Sequence, residues 1–467
     1  MTATLSNDIS EEIWEKDRKH FVHPWTHFDS FTKEGSLIMN EADGIYTFDL
    51  TGKRYIDGVG GLWCVNIGYG REEMVEAVAE QTRKMAYANP FVDVTNTPAA
   101  LLSAKLAELA PGSLNRVLFS CGGSTANDTA FRLIQFYWGC KGEKNRIHIL
   151  TRRSSYHGST YVAQSLSGKA ADRAPEFDYI TDTIHHLSEP NVYRRPEGMD
   201  EEQFTDFLIN EFEQKVIELG AGNVAAHYAE PIMGAGGVVV PPLRYIQAVR
   251  DICTKHGIIY VADEVVTAFG RLGAWFASKD VFGIQPDIIV CAKGLTSGYQ
   301  PLGATIFSDE MYDVIAEAGH DRWFTHGFTY SGHPVSCAAA LKNIEIMENE
   351  ELLKHVREDV GPYFMKKLGE LCDMPTVGDV RGMNLMACVV NVADKQSRET
   401  LPDEVNIGKR ISNAAEERGL IVRPIGNLNV LSPPLTITRA QIDDLVSILR
   451  DAMSEVIDGL RAEGYSF

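Results

Sequence analysis

The chain has 467 residues, 44% hydrophobic and 23% charged, with a formal net charge of −20. This length buries a large core and exceeds one ordinary domain, and the composition is that of a globular enzyme. The acidic balance excludes nucleic acid and anionic membranes as expected partners. No apolar run reaches the ~18 residues of a membrane span, and residues 1–19 lack the apolar stretch of a signal peptide.

Residues 1–35 read as an arm rich in aromatics (Trp14, Phe21, Trp25, Phe28, Phe31) that must pack on another surface. Residues 36–70 predict a small meander, with strands at 37–39, 45–49 and 55–57 and turns at Gly44 and Gly52. Helical periodicity covers 72–85 and 98–109. Short strands are then expected at 116–120, 146–151, 224–230, 257–262, 287–291 and 302–307. They alternate with helices at 124–138, 205–219, 243–256 and 310–316, which predicts a mainly parallel, three-layer α/β/α domain. A helical stretch at 334–371 leads to a smaller α+β unit, with strands near 384–391, 420–423 and 429–432 and a long helix from about 439 to 461. The expected division is an arm and meander at 1–70 that packs with the C-terminal part, a large domain at 71–335 and a small domain at 336–467.

Two strand ends carry the strongest chemical signal. The runs Ile258-Ile259-Tyr260-Val261-Ala262 and Ile288-Ile289-Val290-Cys291-Ala292 each stop at one charged residue, Asp263 and Lys293. Apolar runs of this kind suit parallel strands buried on both faces. Their C-terminal ends face the crevice where open α/β sheets bind ligands. A lone buried carboxylate and a lone buried amine call for a partner. Pyridoxal phosphate supplies one for each: its aldehyde condenses with a lysine, and its basic ring nitrogen takes a carboxylate. Lys293 would then act as proton carrier, a task suited to an amine whose pKa falls on desolvation.

The segment Ser120-Cys121-Gly122-Gly123-Ser124-Thr125 reads as a strand, a glycine turn and a helix start, a cradle for a phosphate dianion. It matches neither GxGxxG nor GxxxxGK[ST]. Tyr156-His157-Gly158 follows another strand and offers a ring to stack on the cofactor, and Glu264 is expected to be structural. The eight cysteines form no CxxC pair and the thirteen histidines no HExxH spacing. No metal is expected, and the cysteines read as reduced, in the cytoplasm.

Together these segments resemble the class III aminotransferases of PLP fold type I. The resemblance runs from about residue 24 to 461 and is densest in His326-Gly327-Phe328-Thr329-Tyr330-Ser331-Gly332-His333-Pro334, Glu230-Pro231-Ile232-Met233-Gly234-Ala235-Gly236-Gly237, Ala262-Asp263-Glu264-Val265 and Ala292-Lys293-Gly294. Gly61-Leu62-Trp63 and Arg423-Pro424 make it most similar to ω-amino acid and amine:pyruvate transaminases.

The resemblance implies that Lys293 links to pyridoxal 5′-phosphate, that Asp263 pairs with its ring nitrogen, and that Val265 and Tyr156 sandwich the ring. Gly123 and Ser124 would hold the phosphate, with Thr329 reaching it from the other subunit of a homodimer or dimer of dimers. Gly122, His157, Glu230 and Phe328 would complete the cofactor's surroundings. Trp25, Trp63, Phe91 and Tyr156 would line the substrate pocket, and Arg423 would bind a carboxylate. The implied reaction is ping-pong transfer of an amino group from an amine donor to a keto acid, pyruvate. The same fold type also hosts aminomutases, decarboxylases and racemases. Where the family commonly reads Ser-Gly-Ser-Glu-Ala, this chain has Gly122-Gly123-Ser124-Thr125-Ala126. One hydroxyl and one acidic side chain are gone, and backbone N–H groups are expected to carry the phosphate.

Overall fold

The computed structural model describes residues 7–467. Strands β1 (Met39–Asp43), β2 (Tyr46–Asp49) and β3 (Arg54–Asp57) form an antiparallel meander. The first begins at Met39 rather than at residue 37, because the hairpin register is set by the pairing of Asp43 with Tyr46 around Gly44 (φ +58°).

The central sheet has seven strands. They are β4 (Leu114–Ser120), β5 (His148–Arg152), β6 (Ile184–Leu187), β7 (Val224–Ala229), β8 (Ile259–Asp263), β9 (Ile288–Cys291) and β10 (Gly303–Ser308), in the order β4-β10-β9-β8-β7-β5-β6. The five strands from β6 to β9 in this order are parallel, and β10 runs antiparallel between β9 and β4. Every residue of β7, β8, β9 and β10 is buried, which is why these segments read as unbroken apolar runs. The edge strand β6 escaped the sequence reading because its core, His185-His186, is polar. Helix Gly123–Cys140 lays Ala126, Ala130, Leu133, Ile134 and Trp138 into the core, and the Trp138 indole donates to Ala225 O at 3.2 Å.

The remaining strands are β11 (Val377–Met383), β12 (Met386–Asn391), β13 (Leu420–Ile421), β14 (Arg423–Ile425) and β15 (Leu428–Leu431). Four form an antiparallel sheet, β11-β12-β15-β14, and β13 pairs in parallel with β3. Three expectations are corrected here. Asn384 does not start a strand but turns the β11–β12 hairpin in the left-handed region (φ 51°), a conformation Asn tolerates. The run 420–423 is split between two sheets, so Arg423 opens β14. The helical stretch after Pro334 likewise breaks at Glu351 (φ 48°), past helix Pro334–Asn349.

Distant segments meet at the fully buried Arg271. Its guanidinium donates to Leu385 O at 3.1 Å, Pro433 O at 2.5 Å and Asn66 Oδ1 at 2.9 Å. Burial pushes its pKa down to about 10, so it stays a cation at neutral pH. Arg271→Met would leave three buried acceptors unpaired. We expect a loss of about 3–5 kcal/mol in urea unfolding; a loss under about 1 kcal/mol would show that these carbonyls find water.

Candidate active site

The C-terminal ends of β8 and β9 lie side by side, with Asp263 paired across to Val290 and Lys293 two residues beyond β9. Strand β4 points the same way as β9, since β10 opposes both. Asp263, Lys293 and the turn after Ser120 therefore open onto one edge of the sheet.

Asp263 is 4% exposed. Its Oδ2 accepts from Asn127 Nδ2 at 2.8 Å and lies 2.7 Å from His157 Nδ1, and its Oδ1 accepts from Val265 N at 3.1 Å. His157 Nε2 lies 3.3 Å from Thr151 Oγ1, and the His157 carbonyl takes a second proton of Asn127 at 2.8 Å. Each carboxylate oxygen accepts about two hydrogen bonds, so Oδ1 retains room for one more donor. Neighbouring Glu264 turns the other way, accepting from the amides of Ala277 and Ser278 and from the Thr267 and Ser278 hydroxyls.

Lys293 adopts φ 50°, a region that a long side chain rarely occupies, and opens a short helical turn. Its Nζ makes no hydrogen bond among the described residues and sits 5.8 Å from the centroid of the Trp63 ring. Burial lowers its pKa, and the charge of Asp263 raises it in part. The turn is clamped from below. Asn343 Nδ2 donates to Gly294 O and Leu295 O, and its Oδ1 accepts from Ser297 Oγ at 2.6 Å.

The cradle stands at the start of helix Gly123–Cys140, whose first N–H groups have no intrahelical acceptor. Gly123 lies so close to Val265 that a Cβ there would come within 2.9 Å of Val265 Cγ1, which fixes the cradle against the Asp263 segment. Ser124 Oγ accepts from Ser159 N at 3.0 Å, in the loop that carries Tyr156 and His157. Thr125, where the family commonly has an acidic residue, accepts from the amides of Cys121 (3.1 Å) and Gly122 (3.0 Å) and donates to Gly122 O at 2.9 Å.

Trp63, 4% exposed and at φ 61°, is shared by Lys293 and Arg423, whose Cζ is also 5.8 Å from its ring centroid. The Tyr156 hydroxyl lies 3.0 Å from Ser159 Oγ, and its ring meets Trp25 edge-on at 6.1 Å. Glu230 accepts from Tyr156 N at 3.1 Å and Gly234 N at 2.8 Å, and burial raises its pKa.

Phe91 and Phe328 stand elsewhere in the chain, together with Thr329. The Phe91 ring faces Gly327, Thr329 O accepts from Tyr87, and Phe328 N donates to Ser331 Oγ. Phe91 walls an open cavity of about 850 Å³ together with Val92, Phe119, Trp323, Phe324 and His326. Sequence reasoning passed over Asn127, Asn343 and the capping role of Thr125; a polar residue inside a helix otherwise facing the core was the signal available for the two asparagines.

A cation-lined crevice on a seven-stranded α/β sheet, with a lysine and a carboxylate at adjacent strand ends, defines a PLP-dependent transferase of fold type I. The chain belongs to the aminotransferase class-III family, whose model matches residues 30–453. It is 38% identical over 455 residues to a putrescine–pyruvate aminotransferase of Pseudomonas aeruginosa, covering 97% of this chain and 98% of that one. It is 37% identical to a diaminobutyrate–2-oxoglutarate transaminase of Halomonas elongata, over 97% and 98% of the two chains. A crystal structure of a thermostable (S)-enantioselective omega-transaminase from Thermomicrobium roseum superposes with a TM-score of 0.93 at 41% identity, over 97% of this chain and 100% of that one.

Class-III aminotransferases depend on pyridoxal phosphate, and the residues present fit it: an unpartnered amine at Lys293, a spare acceptor position on Asp263 Oδ1, and helix N–H groups beside Ser124. The hydroxyl of Thr125 holds two cradle amides in place. Thr125→Ala should raise the dissociation constant of pyridoxal phosphate about five- to thirtyfold, the loss of one capping residue, while Thr125→Ser should leave it within about twofold. Absorbance titration of the apoprotein measures both, and an equal loss in the two variants would remove the hydroxyl from the argument.

Proposed function

We propose that this aminotransferase moves the amino group of a primary amine or ω-amino acid to pyruvate, in two half-reactions at one site. The observation that carries the reading is that the Lys293 amine and the Arg423 guanidinium both lie 5.8 Å from the centroid of the Trp63 ring. One end of such a pocket transfers protons, and the other suits a carboxylate, which a guanidinium can grip through two parallel hydrogen bonds. The Pseudomonas aeruginosa relative supports pyruvate as acceptor and a carboxylate-free diamine as donor.

Bound at Lys293, pyridoxal phosphate supplies the electron sink that acidifies the amine-bearing carbon. The proposed roles of the chain follow from position. Lys293 Nζ takes the proton from that carbon, and its burial favours the neutral amine that the task requires. Asp263, held by His157 and Asn127, keeps the cofactor's ring nitrogen protonated. Val265 and Tyr156 would flank the ring, and the amides of Gly123 and Ser124, with the Gly122 turn held by Thr125, would take the phosphate. Glu230 fixes the Tyr156 loop through its amide. Trp25, Trp63 and Tyr156 shape the donor pocket.

Phe91, Phe328 and Thr329 are proposed to serve the site of a second copy, in a homodimer or a dimer of dimers. The exposure of Phe91 and Thr329, with Phe91 on the wall of a cavity that Lys293 does not line, supports this. The reading also divides the chain at 70 and 335, supported by the pairing of β3 with β13, and places it in the cytoplasm, in keeping with eight free thiols.

Three measurements test the reading. Lys293→Ala should reduce turnover below about a thousandth of the parent value, and borohydride reduction of the holoenzyme should fix cofactor mass on the Lys293 peptide. Turnover retained above that level would remove Lys293 from the chemistry. Arg423→Ala should raise the KM for pyruvate about ten- to hundredfold and leave the half-reaction of a carboxylate-free amine within about twofold. Equal losses in both would make Arg423 scaffold. Light scattering at assay dilution should show a dimer or larger, and Thr329→Ala should weaken cofactor retention; a fully active monomer would exclude the shared site.

A further inference from the structure

Strand β3 ends on Asp57, 2% exposed, whose carboxylate turns onto the loop that follows. Its Oδ1 accepts from Val59 N at 3.1 Å, and its Oδ2 accepts from Gly61 N at 2.6 Å and from the Tyr69 hydroxyl at 2.7 Å. Burial and the charge of Asp57 raise the pKa of Tyr69, so its phenol stays a donor. Tyr69 is the one donor of the three from outside the loop, and its backbone is paired with Gly44 of the meander. Trp63 hangs from the same loop. Its N–H donates to Val59 O at 3.1 Å, and Ser432 Oγ donates to that carbonyl at 2.8 Å. Asp57 also lies opposite Ile421 of β13, two residues before Arg423, and Gly58 N donates to Ile421 O at 3.1 Å. One strand end is thus tied both to Trp63 and to the segment that carries Arg423.

The loop does not hold itself. Gly60, Gly61 and Trp63 lie at φ 59°, 64° and 61°, a region that suits glycine and strains a tryptophan. The Trp63 indole N–H is buried and finds no acceptor among the described residues. A Cβ on Gly234 would come within 2.1 Å of the Trp63 ring, so the ring is seated against bare backbone. That seat fixes the ring only while its own backbone stays in place. A strained residue persists where its neighbours over-determine it, and here the strongest of them is a carboxylate with three donors.

We infer that Asp57 and Tyr69 determine how large an amine the enzyme accepts: by holding the Gly61 amide they make the Trp63 ring a fixed wall, and a fixed wall turns away bulky donors. Both are positioning residues that act through Trp63, and the inference rests on the reading that Trp63 shapes the donor pocket. Without the Tyr69 hydroxyl the Asp57 carboxylate loses its anchor to the meander. The backbone at Gly61 and Trp63 then relaxes toward ordinary φ, and the ring yields to a large substituent at lower cost. A small amine does not press on the ring, so its turnover stays. Among the described residues no hydrogen bond of the Asp57 carboxylate or the Tyr69 hydroxyl reaches the phosphate cradle, Asp263 or Lys293, so cofactor binding is expected to hold.

The test uses the holoenzyme and follows the amine half-reaction by stopped-flow, with sec-butylamine as the small donor and 1-phenylbutylamine as the bulky one. Tyr69→Phe removes one hydroxyl at constant ring size. It should raise the ratio of the bulky to the small donor's second-order rate constants about three- to tenfold. The maximal rate with sec-butylamine and the dissociation constant of pyridoxal phosphate should stay within about twofold. Asp57→Asn, which leaves at least one of the three donors without its acceptor, should shift the ratio the same way; where that variant folds poorly, Tyr69→Phe carries the test. In a Trp63→Ala background the effect of Tyr69→Phe on the ratio should shrink to within about twofold. An unchanged ratio in Tyr69→Phe, or an equal loss with both amines, would reduce the pair to a loop staple and overturn the inference. An undiminished shift without the Trp63 ring would overturn the route through it. Failure of the underlying reading shows separately: there, Trp63→Ala alone leaves the ratio unchanged.

Discussion

A carboxylate that must stay charged out of water governs this structure. An ionised Asp in an apolar setting is costly unless donors replace its hydration. Asp263 obtains three, and each comes from a different element: Asn127 from the helix behind the cradle, His157 from the loop after β5, and Val265 from its own strand end. Satisfying one charge therefore fixes the helix, the loop and the sheet relative to one another. The contact of Gly123 with Val265 and the hydrogen bond of Ser159 to Ser124 are consequences, and through them the cradle inherits its distance from the carboxylate.

The second constraint is conformational. Lys293, Ser297, Trp63 and Phe269 all sit in the left-handed region, at about 1–3 kcal/mol each. Such residues persist only where neighbours over-determine them. Buried amides do this work. Asn343 takes two carbonyls of the lysine turn, and Asn66 donates to Phe269 O at 2.6 Å while accepting from Arg271. A Cβ on Gly294 would come within 2.3 Å of Asn66 Nδ2, so the glycine after the lysine is what allows the clamp to close. The helix Pro334–Asn349, which leaves the sheet, thus holds the amine in place.

How much of this was legible follows from the range of each interaction. Asp263 and Lys293 could be read because a charge ending an apolar run is a local signal, and the Gly-Gly-Ser turn because glycine marks backbone approach. The α/β alternation was legible for strands buried on both faces and failed for β6 and β11, whose polar residues and glycines break the run. Asn127 and Asp263 are 136 positions apart, and Ser297 and Asn343 are 46 apart. Locally such an asparagine shows only as a polar residue on the core face of its helix, which does not name its partner. Arg423 was legible only through a resemblance, since its meaning lies in Trp63, 360 positions away (423 − 63).

The net charge of −20 gives no guide to what the pocket accepts. Surface carboxylates are screened within about 8–10 Å at physiological ionic strength. Inside the crevice the sign is set by a few groups at short range: a helix N-terminus, the Lys293 amine and Arg423 on the positive side, Asp263 and Glu230 on the negative. Asp263 is already bound by its three donors, and burial draws Glu230 toward its neutral form while two amides pull the other way. The cations left without a hydrogen bond among the described residues are then Lys293, which burial draws toward its neutral form, and Arg423, 5.8 Å from the Trp63 ring. Their charge is set by their own surroundings, whatever the sign of the surface around them.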